Sequence, residues 1–502
     1  MVPQIAILAL GELVVAELAG NRVRARAVAR AWRWNLGRLG IIGQQRKELR
    51  RHRRLRDSEI RVQQVGGSAR LSAYARRVFQ HGFHGAHADE LAAAAAFDVH
   101  ENDAPTGPRA DSPGTADGGE AVTATERGRV SGRGIITAWA IAVIVVLIGS
   151  RDLITTGIPA IGQFSPLPGW SGVFHQFATG WHPSGVGTTA PASPAFALLG
   201  VLGTILLGAM GLTLKVAIFA CIPLGAWGAV RLMRPFGSQR AGMVAGIAYL
   251  AVPLPYNALA LGRWGALIAY AGSPWVLTLL FRSTGLAPFT TAAAGRIAAP
   301  NRPGLGGRSR VAPRSRILRR VLTLGVLEAV LISFVPGAVL VVLGVAVALL
   351  ISAAVLGAWQ SSVRALATAV GATVVAGILC LPWLIGTLSA GRGAIAVLGV
   401  ASAPSTAPSW GGLLRFGVGP IGASPLAWGF IVAALLPLLI GRGVRFRWAT
   451  RCWSIAIVFW LLAWVIGRGW TGSLAVEPMI LLAPAAAAIV TAIGLGIAAF
   501  EE

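Results

Sequence analysis

Long apolar runs alternate with short polar segments along most of this chain. From residue 134 onward, most runs approach the length of about 20 residues that an α-helix needs to cross about 30 Å of hydrocarbon. The pattern therefore predicts about ten transmembrane helices. They fall near residues 134–150, 214–232, 241–256, 265–281, 320–335, 337–356, 365–388, 426–441, 452–467 and 479–498.

One further apolar run, at 195–212, affects the orientation of all later loops. If this run crosses the membrane, the basic segment 231–240 lies outside. If it is a re-entrant or surface helix, the Arg-rich loops at 231–240, 282–320 and 442–451 all lie inside, which the positive-inside rule favours. We therefore predict an all-α polytopic membrane protein with about ten transmembrane helices plus one re-entrant or surface helix.

Two polar zones precede the apolar runs. Residues 1–80 combine an apolar start with an Arg-rich stretch, and we expect a cytoplasmic helical segment whose residues 1–20 lie at the membrane interface. Residues 81–130 are rich in Ala, Gly, Pro, Asp and Glu, so we expect a disordered linker that cannot form a core. The multi-pass transmembrane domain then occupies 131–502.

Composition and charge agree with a membrane protein. The chain is 55% hydrophobic and 13% charged, whereas a soluble domain has about 25% charged residues. A net charge of +25 is compatible with nucleic-acid binding, but the sequence has no module that reads bases, and its arginines concentrate in residues 1–80 and in loops. We expect a plasma-membrane protein with a cytoplasmic N-terminus and no nucleic-acid partner. Residues 44–64 are expected to face anionic membrane lipid.

Acidic residues are scarce in the apolar region, and each is a candidate for chemistry. Asp152 follows the first predicted helix, where it is either an interfacial residue exposed to water or, at the outer surface, a general base or a metal-binding carboxylate. Glu328 lies in the middle of a helix, as a neutral packed carboxyl or a proton-relay group. Glu477 precedes a helix and is expected to stabilise the helix end.

The predicted outer segment 151–213 places histidines among aromatic residues. Trp170, His175, Trp181 and His182 suit a sugar ring, because aromatic faces stack on its C–H faces while polar groups bond its hydroxyls. Anchoring at the membrane interface is the alternative for the tryptophans. Two histidines without nearby carboxylates or thiolates do not predict a metal site.

Two arginines lie in predicted outer segments, against the usual preference. Arg263 occurs in "LGRWGAL", and Arg415 follows Trp410 in "WGGLLRFGVGP". A guanidinium there can hold a polyprenyl phosphate through two hydrogen bonds, or a lipid head group. No phosphate-cradling loop of the nucleotide-binding type is present, and the N-terminal zone has no DxD-like carboxylate pair. We therefore expect no ATPase or nucleotide-sugar site, no metal and no cofactor.

Three segments resemble the membrane portion of large actinobacterial family 2 glycosyltransferases. They are "LRDSEIRVQQVGGSARLSAYARR", "GWHPSGVGTTAPASPAFALLGVLGTILLG" and "YNALALGRWGALIAYAGSPWVL". The plan of the membrane region is also similar to that of GT-C enzymes, in which the first outer loop carries an acidic residue and the donor is a polyprenyl-linked sugar. The resemblance implies that Asp152 occupies that position. The family's GT-A domain is absent, so we expect a truncated product or a split subunit.

Three functions remain open from the sequence. The first is a membrane glycosyltransferase, or the membrane module of one, in cell-envelope polysaccharide assembly, with polyprenyl-linked sugar handled at the outer face. The second is a transporter or flippase of lipid-linked glycans. The third is a non-catalytic membrane subunit that anchors a soluble GT-A glycosyltransferase through residues 44–64. Only Glu328 is ionisable at mid-membrane, and no inverted repeat is evident, which disfavours the transporter.

Overall fold

The structure is a computed structural model. The predicted segments 1–80 and 81–130, the predicted helix near 134–150 and Asp152 lie outside the described residues, apart from residues 30, 144 and 149. The description covers residues 30, 144, 149, 151, 157–182, 188–189, 191–289, 314–389, 408–470 and 476–501.

The described residues form fifteen α-helices, one two-residue strand pair and two short 3-10 turns, at Arg234–Phe236 and Pro425–Trp428. In chain order the helices and strands are α1 (Trp170–Thr179), β1 (Trp181–His182), β2 (Thr188–Thr189), α2 (Pro194–Ile205), α3 (Met210–Phe219), α4 (Cys221–Met233), α5 (Gln239–Ala251), α6 (Leu254–Ala260), α7 (Trp264–Thr284), α8 (Arg314–Phe334), α9 (Ala338–Leu356), α10 (Trp359–Leu379), α11 (Leu381–Ser389), α12 (Trp410–Leu414), α13 (Gly429–Ile440), α14 (Gly443–Gly467) and α15 (Pro478–Phe500). The strands are antiparallel, with Trp181 opposite Thr189 and His182 opposite Thr188.

Seven helical stretches are long and apolar enough to cross a membrane. They are Met210–Phe236, Gln239–Ala260, Trp264–Thr284, Ala338–Leu356, Trp359–Leu379, Gly443–Gly467 and Pro478–Phe500. The prediction of an all-helical protein of membrane type is therefore confirmed for the described residues. The total of about ten transmembrane helices stays a prediction, because α8 begins with several arginines and Pro425–Ile440 is short.

The apolar run at 195–212 is not one continuous helix. α2 ends at Ile205, and the chain then turns through Leu207 and Gly208, whose φ angles are +56° and +84°. With 12 residues, α2 is about 18 Å long, which is shorter than about 30 Å of hydrocarbon. α3 instead continues into α4 as part of a 27-residue stretch.

α15 is the central helix of the bundle. It packs against α4, α5, α6, α7, α9, α13 and α14, and 94% of its apolar span is buried, compared with 33–72% for the other candidate spans. Its middle is rich in alanine and glycine, and small residues let neighbouring backbones approach closely. At Gly494, for example, a Cβ would lie 3.0 Å from the carbonyl oxygen of Ala241 in α5.

The bundle has two distinct ends. At one, here called the basic end, the ring of Phe236 contacts those of Phe289 and Trp448 at centroid distances of 5.6 and 6.3 Å. This end joins the turns after α4, α7 and α9 and the start of α14, and its arginines include Arg231, Arg234, Arg282, Arg364, Arg442, Arg445 and Arg447. At the other, here called the loop end, segments 157–168, 253–264, 408–428, 468–470 and 476–477 meet.

Two buried tyrosines compensate for two prolines in the core. Pro274 lies inside α7 and has no N–H to donate to the carbonyl of Tyr270, four residues earlier. The Tyr249 hydroxyl donates to that carbonyl at 2.7 Å. Reciprocally, the Tyr270 hydroxyl donates at 2.8 Å to the Tyr249 carbonyl, four residues before Pro253. The two rings stack with centroids 4.2 Å apart, beside Gly225, where a Cβ would lie 2.7 Å from the Tyr270 ring.

Tyr249→Phe should lower the free energy of unfolding by about 1–3 kcal/mol, because it leaves the Tyr270 carbonyl buried without that donor. Adding Pro274→Ala restores an N–H at residue 274, so the double variant should unfold at a higher temperature than Tyr249→Phe alone. Thermal unfolding in detergent measures both. Strictly additive effects of the two substitutions would contradict this compensation.

Candidate functional site

Segment 157–168 is fixed to the start of α7 by a close crossing of two backbones. The Gln163 N–H donates to the Gly262 carbonyl at 2.7 Å, and the Gln163 side-chain oxygen accepts from the Gly265 N–H at 3.0 Å. Gly262 has φ +63°, and a Cβ there would lie 1.9 Å from the Ile161 carbonyl oxygen. Only glycine allows this approach. The Gln163 side chain thus accepts a hydrogen bond from the first turn of α7, whose N-cap residue makes no side-chain capping hydrogen bond.

A second connection joins segment 415–424 to α6. The Asn257 side chain is fully buried, donates from Nδ2 to the Ile421 carbonyl at 2.8 Å and accepts from the Ile421 N–H at 2.7 Å. A side-chain amide in this arrangement replaces both hydrogen bonds of a backbone pair. Asn257 therefore fixes a loop that lies 164 residues further along the chain.

Asn257→Leu should free segment 415–424, because both polar groups of Ile421 lose their partner at a cost of about 1–3 kcal/mol. Amide hydrogen exchange in 415–424 should accelerate. Gln163→Leu is the matched control: it should accelerate exchange in 157–168 and leave 415–424 unchanged. Equal exchange of 415–424 in Asn257→Leu and the native chain would refute the role of this amide.

Arg263 forms an ion pair with Glu477 at the starts of α7 and α15. The guanidinium Nε lies 3.2 Å from the carboxylate Oε1, and both side chains are largely buried, with 20% and 11% exposed. The N–H is not aligned for a hydrogen bond, and Glu477 Oε2 also has no partner among the described residues. Burial raises the pKa of Glu477 above its ordinary value, and the charge of Arg263 offsets this only in part. Glu477 does not cap α15 with its side chain.

The raised pKa of Glu477 predicts a pH-dependent stability. The folded protein holds the Glu477 proton more tightly than the unfolded chain does. The protonated carboxyl therefore contributes to the free energy of unfolding below the ordinary pKa of about 4.5, and this contribution is lost as pH rises through the folded pKa. The unfolding temperature should fall across this window, and Glu477→Gln should flatten the profile. Glu501→Gln, at the C-terminus, is the control and should leave the slope unchanged; an unaltered slope in Glu477→Gln would contradict the assignment.

Arg415 stabilises its own loop. Its Nε donates to the Gly411 carbonyl at 3.0 Å and its Nη1 to the Ala423 carbonyl at 2.9 Å, and its guanidinium lies 5.7 Å from the ring centroid of Trp428. These contacts join the end of α12 to the chain before α13. The Arg415 guanidinium is therefore held by contacts within its own loop, and the Arg263 guanidinium is held by its ion pair with Glu477.

An indole cluster, formed by Trp410, Trp464 and Trp470 with Arg468, lies at the same end. The ring centroids of Trp410 and Trp464 are 5.0 Å apart in a stacked arrangement, and Trp470 meets Trp464 edge-on at 5.1 Å. The Arg468 guanidinium lies 4.6 Å from the Trp464 ring. Trp470 is 64% exposed and Trp410 39% exposed, whereas Trp464 Nε1 is buried without an acceptor among the described residues.

The remaining predicted site residues belong to a different part of the described chain. Trp170 and His175 are exposed on α1, which packs mainly on α2 and β1; Trp170 meets the edge of Phe174 at 6.5 Å. The backbones of Trp181 and His182 form β1. The predicted residues therefore fall into one group on α1 and β1 and another around α12, α14 and α15. Asp152 lies outside the described residues.

Glu328 is fully buried between α8 and α10. Its Oε1 accepts a hydrogen bond of 2.8 Å from the Thr373 hydroxyl, while its Oε2 has no partner among the described residues. A buried carboxylate without a cation is strongly disfavoured, so this environment favours the neutral acid.

Sequence reasoning missed Gln163, Asn257, Trp464 and Arg468. Asn257 carried a detectable signal, because a buried amide between apolar helices is rare unless it is fully bonded. Gln163 and Arg468 lie in polar turns and carry no comparable signal. Within the ranges that the structure describes, no three His, Cys, Asp or Glu side chains group as a metal site.

Comparison with known proteins adds no relative. No family model matches the chain, and no curated protein matches it significantly.

Proposed function

We propose that this chain is a membrane glycosyltransferase, or the membrane module of one, that handles a polyprenyl-linked sugar in cell-envelope polysaccharide assembly. The indole cluster is the observation that supports this most directly. It combines exposed aromatic faces with an exposed guanidinium. A saccharide phosphate offers the matching groups, since its C–H faces stack on indoles and its oxygens accept hydrogen bonds.

Arg468 is the phosphate-binding residue in this proposal. Arg263 and Arg415, the arginines that the sequence favours, already contact Glu477 and backbone carbonyls. Among the described residues, the Arg468 guanidinium lies over the rings of Trp464 and Trp470 and forms no ion pair with a carboxylate. A guanidinium in this position stays free to hold a phosphoryl group with two hydrogen bonds.

The rigid loop end supports the same proposal. Asn257 and Gln163 fix the segments around the cluster to the bundle, and fixed groups bind without loss of further conformational freedom. The arginines of the basic end favour a cytoplasmic position for that end. The loop end would then face outward, where Asp152 is the proposed general base.

A sugar-transfer assay on membranes tests the proposal by measuring kcat and KM separately for variants of the proposed base and of the indole cluster. Asp152→Asn should lower kcat at least about 100-fold, as expected for loss of a general base, with little change in KM. Trp470→Ala and Arg468→Gln should raise KM for the polyprenyl-linked donor and leave kcat nearly unchanged.

The matched control is Trp359→Ala, which removes another exposed tryptophan at the start of α10. It should alter neither constant. If it raised KM as much as Trp470→Ala, the indole cluster would be a membrane anchor only. Unchanged turnover in Asp152→Asn would remove the proposed base.

A flippase of lipid-linked glycans is the second candidate, favoured by the buried Glu328 alone. A coupling carboxyl near mid-membrane would gain and lose a proton in each cycle. Translocation in vesicles that continues without sugar transfer, and that stops in Glu328→Gln, would support this candidate over the first.

A further inference from the structure

Arg451 is a buried arginine on α14, near the basic end. Its side chain is 3% exposed, and its guanidinium lies 4.6 Å from the ring centroid of Trp448. Trp448 is itself fixed, since its Nε1 donates to the Ala287 carbonyl at 2.7 Å and its ring contacts Phe281 and Phe289. The guanidinium is therefore held in one place by a rigid aromatic wall.

This cation has no counter-ion in the part of the chain that the structure describes. Arg451 forms no ion pair and no hydrogen bond there. Its nitrogens are nevertheless absent from the fully enclosed polar atoms, so they retain some access from outside. An almost fully buried guanidinium that has no partner among the described residues is costly unless an anion binds to it.

The surroundings of Arg451 increase the demand for an anion. Arg447 lies one turn before Arg451 on the same helix, and the residues from Gly443 to Thr450 include no acidic side chain. The N-terminus of α14 adds a partial positive charge at this end. No acidic side chain of these turns is therefore available to pair with Arg451.

The position along α14 indicates the source of the anion. Arg451 lies eight residues after Gly443, so about 12 Å along a 25-residue helix that spans about 37 Å. That helix exceeds about 30 Å of hydrocarbon, which leaves Arg451 within reach of the head-group region at the basic end.

We propose that Arg451 binds a phosphoryl group, and that the group belongs to an anionic phospholipid of the leaflet at the basic end. The guanidinium supplies two parallel donors that match phosphate oxygens, and Trp448 orients it. The site is separate from the indole cluster and does not depend on the function proposed for the loop end.

Lipid titration of the purified full-length chain tests the site. We expect phosphatidylglycerol to bind at least about tenfold more tightly than phosphatidylcholine, a difference of about 1.4 kcal/mol, and to raise the unfolding temperature in detergent. Arg451→Gln should weaken phosphatidylglycerol binding about tenfold. Arg234→Gln, an exposed arginine at the same end, is the matched control and should change the affinity less than about twofold.

Two results would overturn the proposal: equal binding of the two lipids by the native chain, or native affinity for phosphatidylglycerol in Arg451→Gln. If Arg451→Gln does not fold, Arg451→Lys keeps the charge but loses the paired donors, and should show a weaker preference for phosphatidylglycerol than the native chain. Inorganic phosphate distinguishes the source. Competition by phosphate at millimolar concentration, lost in Arg451→Gln, would support the phosphoryl site while identifying a soluble phosphate compound as its ligand.

Discussion

The bundle is organised around α15, a helix whose surface consists largely of small side chains. Because alanines and glycines cover its middle, seven other helices of the described chain can approach its backbone. A larger side chain on any of these faces would separate α15 from a neighbour, since packed interiors tolerate added volume poorly. Both ends of the bundle depend on this arrangement, because the starts and ends of α7, α13 and α14 are placed by their contacts with the central helix.

The two ends of the bundle differ in what their polar and charged side chains contact. At the loop end, polar side chains fix irregular backbone: Asn257 replaces a missing strand partner for Ile421, and Gln163 serves the free N-terminus of α7. At the basic end, arginines are positioned by aromatic rings, as Arg451 is by Trp448. Rigid loops suit recognition of a specific ligand, whereas ring-supported cations suit a phosphate-rich surface.

The sequence predicts the helices well because an apolar run of sufficient length has few alternatives to a helix in hydrocarbon. It does not predict which helix is central, since α9 and α15 are both strongly apolar and differ mainly in how much of each is buried, 44% against 94%. The site is predicted less completely. Arg263, Arg415 and Trp410 do lie at the loop end, but the internal partners of both arginines depend on contacts between segments far apart in sequence. No local pattern contains that information.

The exchange of hydrogen bonds between Tyr249 and Tyr270 has a consequence for how the first spans find each other. Each tyrosine belongs to the same short pattern, Ala-Tyr followed by three residues and a proline: Ala248 to Pro253 at the end of α5 and Ala269 to Pro274 within α7. Since each tyrosine hydroxyl donates a hydrogen bond to the backbone carbonyl of the other tyrosine, the pair forms a local two-fold symmetric contact between α5 and α7. A shift of one turn between α5 and α7 would break both bonds together, so a proline, usually a weak point in a helix, here selects the alignment of two membrane helices.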